Sequence, residues 1–253
     1  MTNISISEEI ATACPDLHVL VLSCDVCNSE PDERLWQEIA DEEKAVRETV
    51  KLEQINKWLP IQATRQAYKR LGKDPNRYRP SSEALRRRIL RELPLYKVGL
   101  IPSLIISVTR RILRELPLYK VDTLVDLINL VSIRSGYSIG GFDADKIAGG
   151  SLVLGVGREG EIYHGIGRGE LNIAGLPVYR DAVGGVGTPT SDEERTKIGL
   201  DTTHLLMIIN GYSGLEGLEA AGKYAVGLLS KYVSAINMEA ELVTAKDRTK
   251  IAL

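Results

Sequence analysis

Residues 122–157 read DTLVDLINLVSIRSGYSIGGFDADKIAGGSLVLGVG, and a change of rhythm inside them decides the fold. Across Thr123–Arg134 the apolar residues Leu124, Leu127, Ile128 and Val131 recur at helical spacing, with Asp122 placed as N-cap and Gly136 as the stop. Residues 138–150 are rich in Gly and Asp and predict a loop. From Leu152 the period becomes two. Leu152–Gly157 and Glu161–Ile166 flank Arg158-Glu159-Gly160, the pattern of two strands joined by a tight turn.

Working outward, both periods recur. Leu17–Ser23 (LHVLVLS) and Leu205–Ile209 (LLMII) are continuous apolar runs and predict buried strands. Glu239–Val243 predicts a last strand. Glu33–Val50, Ile61–Leu71 and Leu215–Tyr232 predict helices, the second ending at Gly72. Ser81 or Ser82 would cap another helix, which carries Arg86, Arg87 and Arg88 towards Arg91. The expected class is α+β, a central mixed or antiparallel sheet region flanked by helices. The whole chain, 1–253, reads as a single domain.

Composition narrows the function classes. The chain has 253 residues, 43% hydrophobic and 26% charged, which excludes a disordered tail, a collagen-like repeat and a disulfide scaffold. There are 10 Tyr and 2 Trp but one Phe, Phe142, so the core is expected to be Leu, Ile and Val. No apolar run approaches the roughly 20 residues of a membrane helix. Met1–Glu9 carries acids and no basic stretch, unlike a secretion signal. Cys14, Cys24 and Cys27 include one lone CxxC without a second ligand pair, so no metal or other cofactor is expected. These features fit a reducing cytoplasm.

Charge is unevenly spread. Residues 1–60 hold 5 Lys+Arg against 13 Asp+Glu; residues 65–121 hold 15 against 4; residues 122–253 hold 12 against 17. The middle block, net +11, would suit a polyanion, although on charge alone a solvated helix face is the simpler reading. Part of it is repeated. RRILRELPLYKV occurs at 87–98 and again at 110–121, offset by 23 residues. Two copies are too few for a solenoid, so residues 99–121 read as a local duplication that adds an arm or excursion. The second copy keeps Asp126 and Asn129, three apart on one helix face, where the first has Ser103 and Ile106. The second copy is therefore expected in the working position.

Other motifs carry less. Gly155-x-Gly157-x-x-Gly160 has the dinucleotide spacing but precedes a strand pattern, so it reads as a hairpin turn. His18, His164 and His204 are isolated and read as packing residues in or beside strands. Gly184–Thr196 (GGVGTPTSDEERT) leads flexible glycines into hydroxyls and acids, with a helix start conceivable at Pro189 or Ser191-Asp192.

Taken together, Asp126-x-x-Asn129-x-Val131 followed by Gly136–Ile147 resembles the editing (B3/B4) domain of the phenylalanyl-tRNA synthetase beta subunit, and more closely the free-standing bacterial proteins built from that domain. Residues 65–72 (RQAYKRLG), 80–85 (PSSEAL) and 189–196 (PTSDEERT) share the look of those proteins, so the resemblance runs from about residue 15 to 243, apart from the duplicated insert. It implies an α+β domain whose cleft receives the aminoacylated 3′ end of tRNA and hydrolyses a mischarged ester in trans. The implied pocket residues are Asp126, Asn129, Gly140, Gly141, Phe142, Thr190, Ser191 and Glu193, with Arg65, Arg70, Arg77 and Arg88 guiding RNA; DNA and membranes are not implied partners. The family run has His where this chain has Gly140 and Pro where it has Ser138. A non-catalytic module binding tRNA, or an amino-acid-like molecule, is the alternative.

Overall fold

Strand β2 (His18–Asp25) is buried on both sides, as its unbroken apolar run predicts. In the computed structural model, which describes residues 2–93 and 121–253, β2 lies between β10 (His204–Gly211) and β11 (Ile236–Val243). β3 (Ile139–Asp143) and β12 (Arg248–Lys250) complete a five-stranded antiparallel sheet of order β12-β11-β2-β10-β3. Strand alternation sorts its side chains between two cores. Leu20, Leu22 and Cys24 of β2, with Leu205, Met207 and Ile209 of β10, face the helices. Val19, Val21, Leu206, Ile208 and Phe142 face a second sheet.

That second sheet has the order β1-β4-β7-β8-β9 and is mixed, with β1 (Asn3–Ile6) parallel to β4 (Ser151–Val156). β7 (Pro177–Arg180), β8 (Gly185–Thr188) and β9 (Ser191–Asp192) follow antiparallel. A short ladder joins β5 (His164–Gly165) to β6 (Gly169–Glu170). The helices of the described residues are α1 (Glu8–Ala13), α2 (Glu33–Thr49), α3 (Leu59–Arg70), α4 (Ser81–Ile89), α5 (Thr123–Ser135) and α6 (Leu218–Tyr232). α2, α4, α5 and α6 cover the outer face of the antiparallel sheet, giving helices on sheet on sheet. The class is α+β, as expected.

Several local expectations are corrected. Glu161–Ile166 does not form a hairpin with β4, whose antiparallel partner is β7. A turn does close at Arg158–Glu161, but Glu161 is then drawn to Arg180 (2.5 and 2.7 Å), and the chain leaves the sheet edge. Gly157 meets backbone there, its N–H donating to Leu176 O (2.8 Å) and its carbonyl accepting from Gly175 N–H (2.8 Å). Part of the loop expected at 138–150 is β3, specified by pairing with β10 rather than by apolar alternation. Neither Ser81 nor Ser82 caps α4: Pro80 precedes it, and Ser81 N–H donates to Pro189 O (2.8 Å). Pro189 and Ser191-Asp192 do not start a helix; they make the β8–β9 hairpin, whose turn is tied by Thr188 Oγ1 to the N–H groups of Thr190 and Ser191. Asp122 does cap α5, accepting from Val125 N–H (2.9 Å), and left-handed Gly136 ends it. The repeated run at 110–121 and the arm expected at 99–121 lie, apart from Val121, outside the described residues.

One buried carboxylate positions α4. Glu83 is fully buried and meets Arg65 (2.7 Å), Arg87 (2.7 Å) and Arg79 (3.8 Å). Arg65 also donates to Pro75 O (3.0 Å) and Asn76 (2.7 Å), so α3, the 74–80 loop and α4 are tied at one point. Arg86 fixes the other side of α4, donating to Ile133 O (2.8 Å) and stacking over Trp58.

Removing the carboxylate leaves these guanidinium groups crowded without a counter-charge. Glu83→Ala should cost about 3 kcal/mol in chemical denaturation; an unchanged midpoint would contradict the tie. A Cβ on Gly157 would lie 1.9 Å from Ile173 O, whereas one on Gly160 (φ +70°) would meet nothing within 4 Å. Gly157→Ala should therefore lower Tm well beyond Gly160→Ala, which carries only the left-handed penalty of about 1 kcal/mol.

Candidate functional site

α5 presents Val125, Ile128, Asn129 and Ser132, at i, i+3, i+4 and i+7, to a cleft of about 380 Å³. The opposite walls come from Ile139 and Gly141 of β3, with Ile166, Asp192 and Ile198. Gly141 keeps this space open: a Cβ there would lie 2.5 Å from Ile128 Cδ1 and 3.0 Å from Ile198 Cδ1. The result is an apolar recess with a few polar groups converging on it, the usual composition of a small-ligand site.

Asp192 is the titratable group of this recess that the motif reading left out. Its carboxylate accepts the Gly141 N–H and lies beside the positions that Cβ atoms of Gly140 and Gly187 would take. Burial pushes Asp192 up to about 7, with the Gly141 N–H working in the opposite direction. Its carbonyl accepts Ile166 N–H (3.0 Å), which closes the 164–170 turn against β9. Lys197 adds a half-exposed ammonium at the rim.

The implied pocket residues separate. Asn129 and Gly141 line the cleft. Asp126 is one helix position off that face: it is buried and accepts from Trp36 Nε1 (2.6 Å) of α2. Strand alternation sends Gly140 and Phe142 away from the cleft face into the inter-sheet core. Phe142 is fully buried, so it backs the site rather than forming its wall. A Cβ on Gly140 would lie 2.8 Å from the Phe142 ring, so the β3 backbone and that ring leave no room for a histidine there. Thr190 is bonded through its hydroxyl to Tyr68 (2.8 Å). The Ser191 carbonyl receives the Tyr163 hydroxyl (2.6 Å). Glu193 caps the following turn by accepting Arg195 N–H (2.6 Å).

The arginines separate too. Arg77 and Arg88 line a second cavity of about 280 Å³, together with Arg79, Arg87, Arg91 and Arg168. Arg65 is consumed by Glu83, and Arg70 donates to Ala13 O (3.1 Å) beside α1. Arg168 comes from the third, net acidic block of the chain, so block charge gave no sign of it. Asp192 was visible within PTSDEERT, but only the β8–β9 hairpin brings it to the lining of the cleft.

The histidines sit at rims rather than in cores. His204 lies between Asp145 (2.7 Å) and Asp25 (3.6 Å), which raise its pKa, and His164 is 4.0 Å from Glu193. Cys14, Cys24 and Cys27 are free thiols. Among the described residues no cluster of His, Cys, Asp or Glu is arranged to hold a metal ion, and no helix is long and apolar enough to cross a membrane. Larger openings, about 490 Å³ beside Arg158 and about 430 Å³ beside Trp58 and Tyr224, hold Gly155 and Gly157 in the first and Tyr137 in the second, but none of the implied pocket residues.

No curated protein matches this chain. Among solved structures it is similar to an N-terminal fragment of the phenylalanyl-tRNA synthetase beta subunit from Pyrococcus horikoshii, at 13% identity and a TM-score of 0.48. That match covers 99% of this chain and 54% of the fragment, so the chain spans about half the fragment's length. The model of the B3/4 domain matches residues 97–232, more than half of the chain, a range that holds α5, β3, the β8–β9 hairpin and α6. The chain belongs to the B3/4 domain family.

Proposed function

We propose that the chain is an editing hydrolase that cleaves, in trans, the ester between a wrongly attached amino acid and the 3′ end of tRNA. The observation that carries this reading is the meeting of Asp192, Asn129 and an apolar recess in one cleft of a B3/4 family member. The recess suits the amino-acid side chain. Its apolar walls discriminate mainly by size, and polar discrimination falls to Ser132, whose hydroxyl donates to Tyr137 O (2.8 Å) and can still accept from a ligand. We extend the domain over the whole chain, because β2, outside the matched range, is hydrogen-bonded between β10 and β11.

The chemistry follows from the groups present. Asp192, as carboxylate, takes a proton from water as the water oxygen bonds to the ester carbonyl carbon. The carbonyl oxygen gains negative charge, and we assign its stabilisation to Asn129, which lines the cleft. The carbon–oxygen bond to ribose then breaks, and the protonated Asp192 returns the proton to the leaving oxygen. A carboxyl group titrating near neutrality serves both steps. The histidine of the resembling motif has no counterpart at Gly140, so the proton transfers fall to Asp192. Cytoplasmic tRNA is the partner this reading requires.

The same glycine favours one second reading, a module that holds aminoacylated tRNA without cleaving it. Release of free amino acid from tyrosyl- and other mischarged tRNAs separates the two. Hydrolysis should exceed spontaneous loss, rise with pH through about 7 as Asp192 ionises and then level off. Asp192→Asn should lose on the order of 100-fold in kcat or more. Binding with no acceleration for any tested aminoacyl-tRNA supports the second reading, and a pH-independent rate removes Asp192 from the reaction.

A further inference from the structure

The arginine cavity and the cleft share three walls. α4 gives Ser81 to the cleft and Ala84, Arg87 and Arg88 to the cavity. The 164–170 turn gives Ile166 to one and Arg168 to the other. The β8–β9 hairpin gives Asp192 to one and Thr190 to the other. Ser81 and Ala84, Ile166 and Arg168, and Asp192 and Thr190 lie two or three residues apart, so the same three elements line both spaces.

The cavity is strongly cationic. Six guanidinium groups line it, and among the described residues no carboxylate does. Glu83, behind Arg79 and Arg87, also serves Arg65, so one carboxylate answers three cations. Arg168 is delivered by backbone geometry. It sits between Gly167 (φ +65°) and Gly169 (φ +71°), and its N–H donates to Gly165 O (2.9 Å). Burial lowers the pKa of Arg168, and burial together with the Arg168 charge lowers that of Arg88. The fold therefore brings the Arg88 and Arg168 charges near each other, a cationic lining that suits an anionic ligand. Guanidinium groups match phosphate oxygens in bidentate geometry, and a compact cluster at a half-open cavity suits one phosphate better than a long backbone track.

We propose that the arginine cavity is a phosphodiester site, holding the phosphate on the 5′ side of the terminal nucleoside whose ester lies in the cleft. This rests on the cleft being the ester site. Ester and phosphate of one nucleotide are separated by a single ribose, which matches two spaces lined by the same three elements. The cavity then sets how far the RNA end enters. It also selects a nucleic-acid ester over a free amino-acid ester.

The test compares aminoacyl-tRNA with aminoacyl-adenosine, which lacks the phosphate, in wild type and Arg168→Ala. Arg168 lies outside the Glu83 cluster, so the substitution leaves α4 tied. Wild type should prefer the tRNA, and Arg168→Ala should reduce that preference about tenfold in kcat/KM, with the salt slope of tRNA binding reduced by about one. Arg168→Lys should recover part of the loss. An unchanged preference and salt slope would overturn the proposal. If neither ester is cleaved, the hydrolase reading fails, and the phosphate site is judged by binding of an RNA hairpin ending in CCA. Weaker binding by Arg168→Ala supports the site. Equal binding, or calorimetric binding of pyrophosphate with no affinity for the hairpin, overturns it in favour of a small-anion pocket.

Discussion

The ring of Phe142 lies where side chains of Gly140 and Gly187 would otherwise project. Cβ atoms at those glycines would lie 2.8 Å and 2.5 Å from ring atoms. This notch lets the edge strand β3 of one sheet approach β8 and β9 of the other. Because β8 pairs with β9, the close approach also fixes Asp192, whose carboxylate lies 2.9 Å from the Cβ position of Gly187. The cleft is what remains on the opposite face of β3, between that strand and α5. The single phenylalanine thus sets the distance between the sheets and, through the hairpin, the location of the only carboxylate lining the cleft among the described residues.

Most of the scaffold was legible because it rests on local rules. The two continuous apolar runs became central strands with both faces buried, and the helix from Asp122 to Gly136 formed with both its caps. Elements set by partners rather than by local pattern were hidden. β1 has four residues and exists because β4 pairs with it. β3 contains two adjacent glycines in five residues, so neither apolar period is visible until β10 supplies the ladder. Glu161–Ile166 has a strand's composition, yet the ion pair between Glu161 and Arg180 and the priority of β7 at that edge pull it away.

Within the site, residue type was more legible than direction. Asp126 and Asn129 lie three apart on α5, but the roughly 60° between them is enough to send one to Trp36 and the other to the cleft. Of the four arginines singled out, a buried carboxylate removes Arg65 and a backbone carbonyl engages Arg70. No local pattern gives these assignments, because Glu83 and Ala13 act from other elements. Arg168 is the converse case, isolated in sequence and brought to the cluster by a glycine-flanked turn. The outcome is a division of labour between two spaces lined by the same three elements: an apolar recess with a single carboxylate in one, concentrated positive charge in the other.

Hydrolysis in this cleft requires Asp192 to be a carboxyl group held near neutrality, so its own titration is the decisive measurement. Carbon-13 NMR of the aspartate carboxyl carbons, assigned through Asp192→Asn, reads the protonation state directly and needs no substrate. A midpoint near 7 is the expected result. A midpoint in the ordinary aspartate range, around 4, would mean that the carboxylate is well solvated, and it would contradict the account.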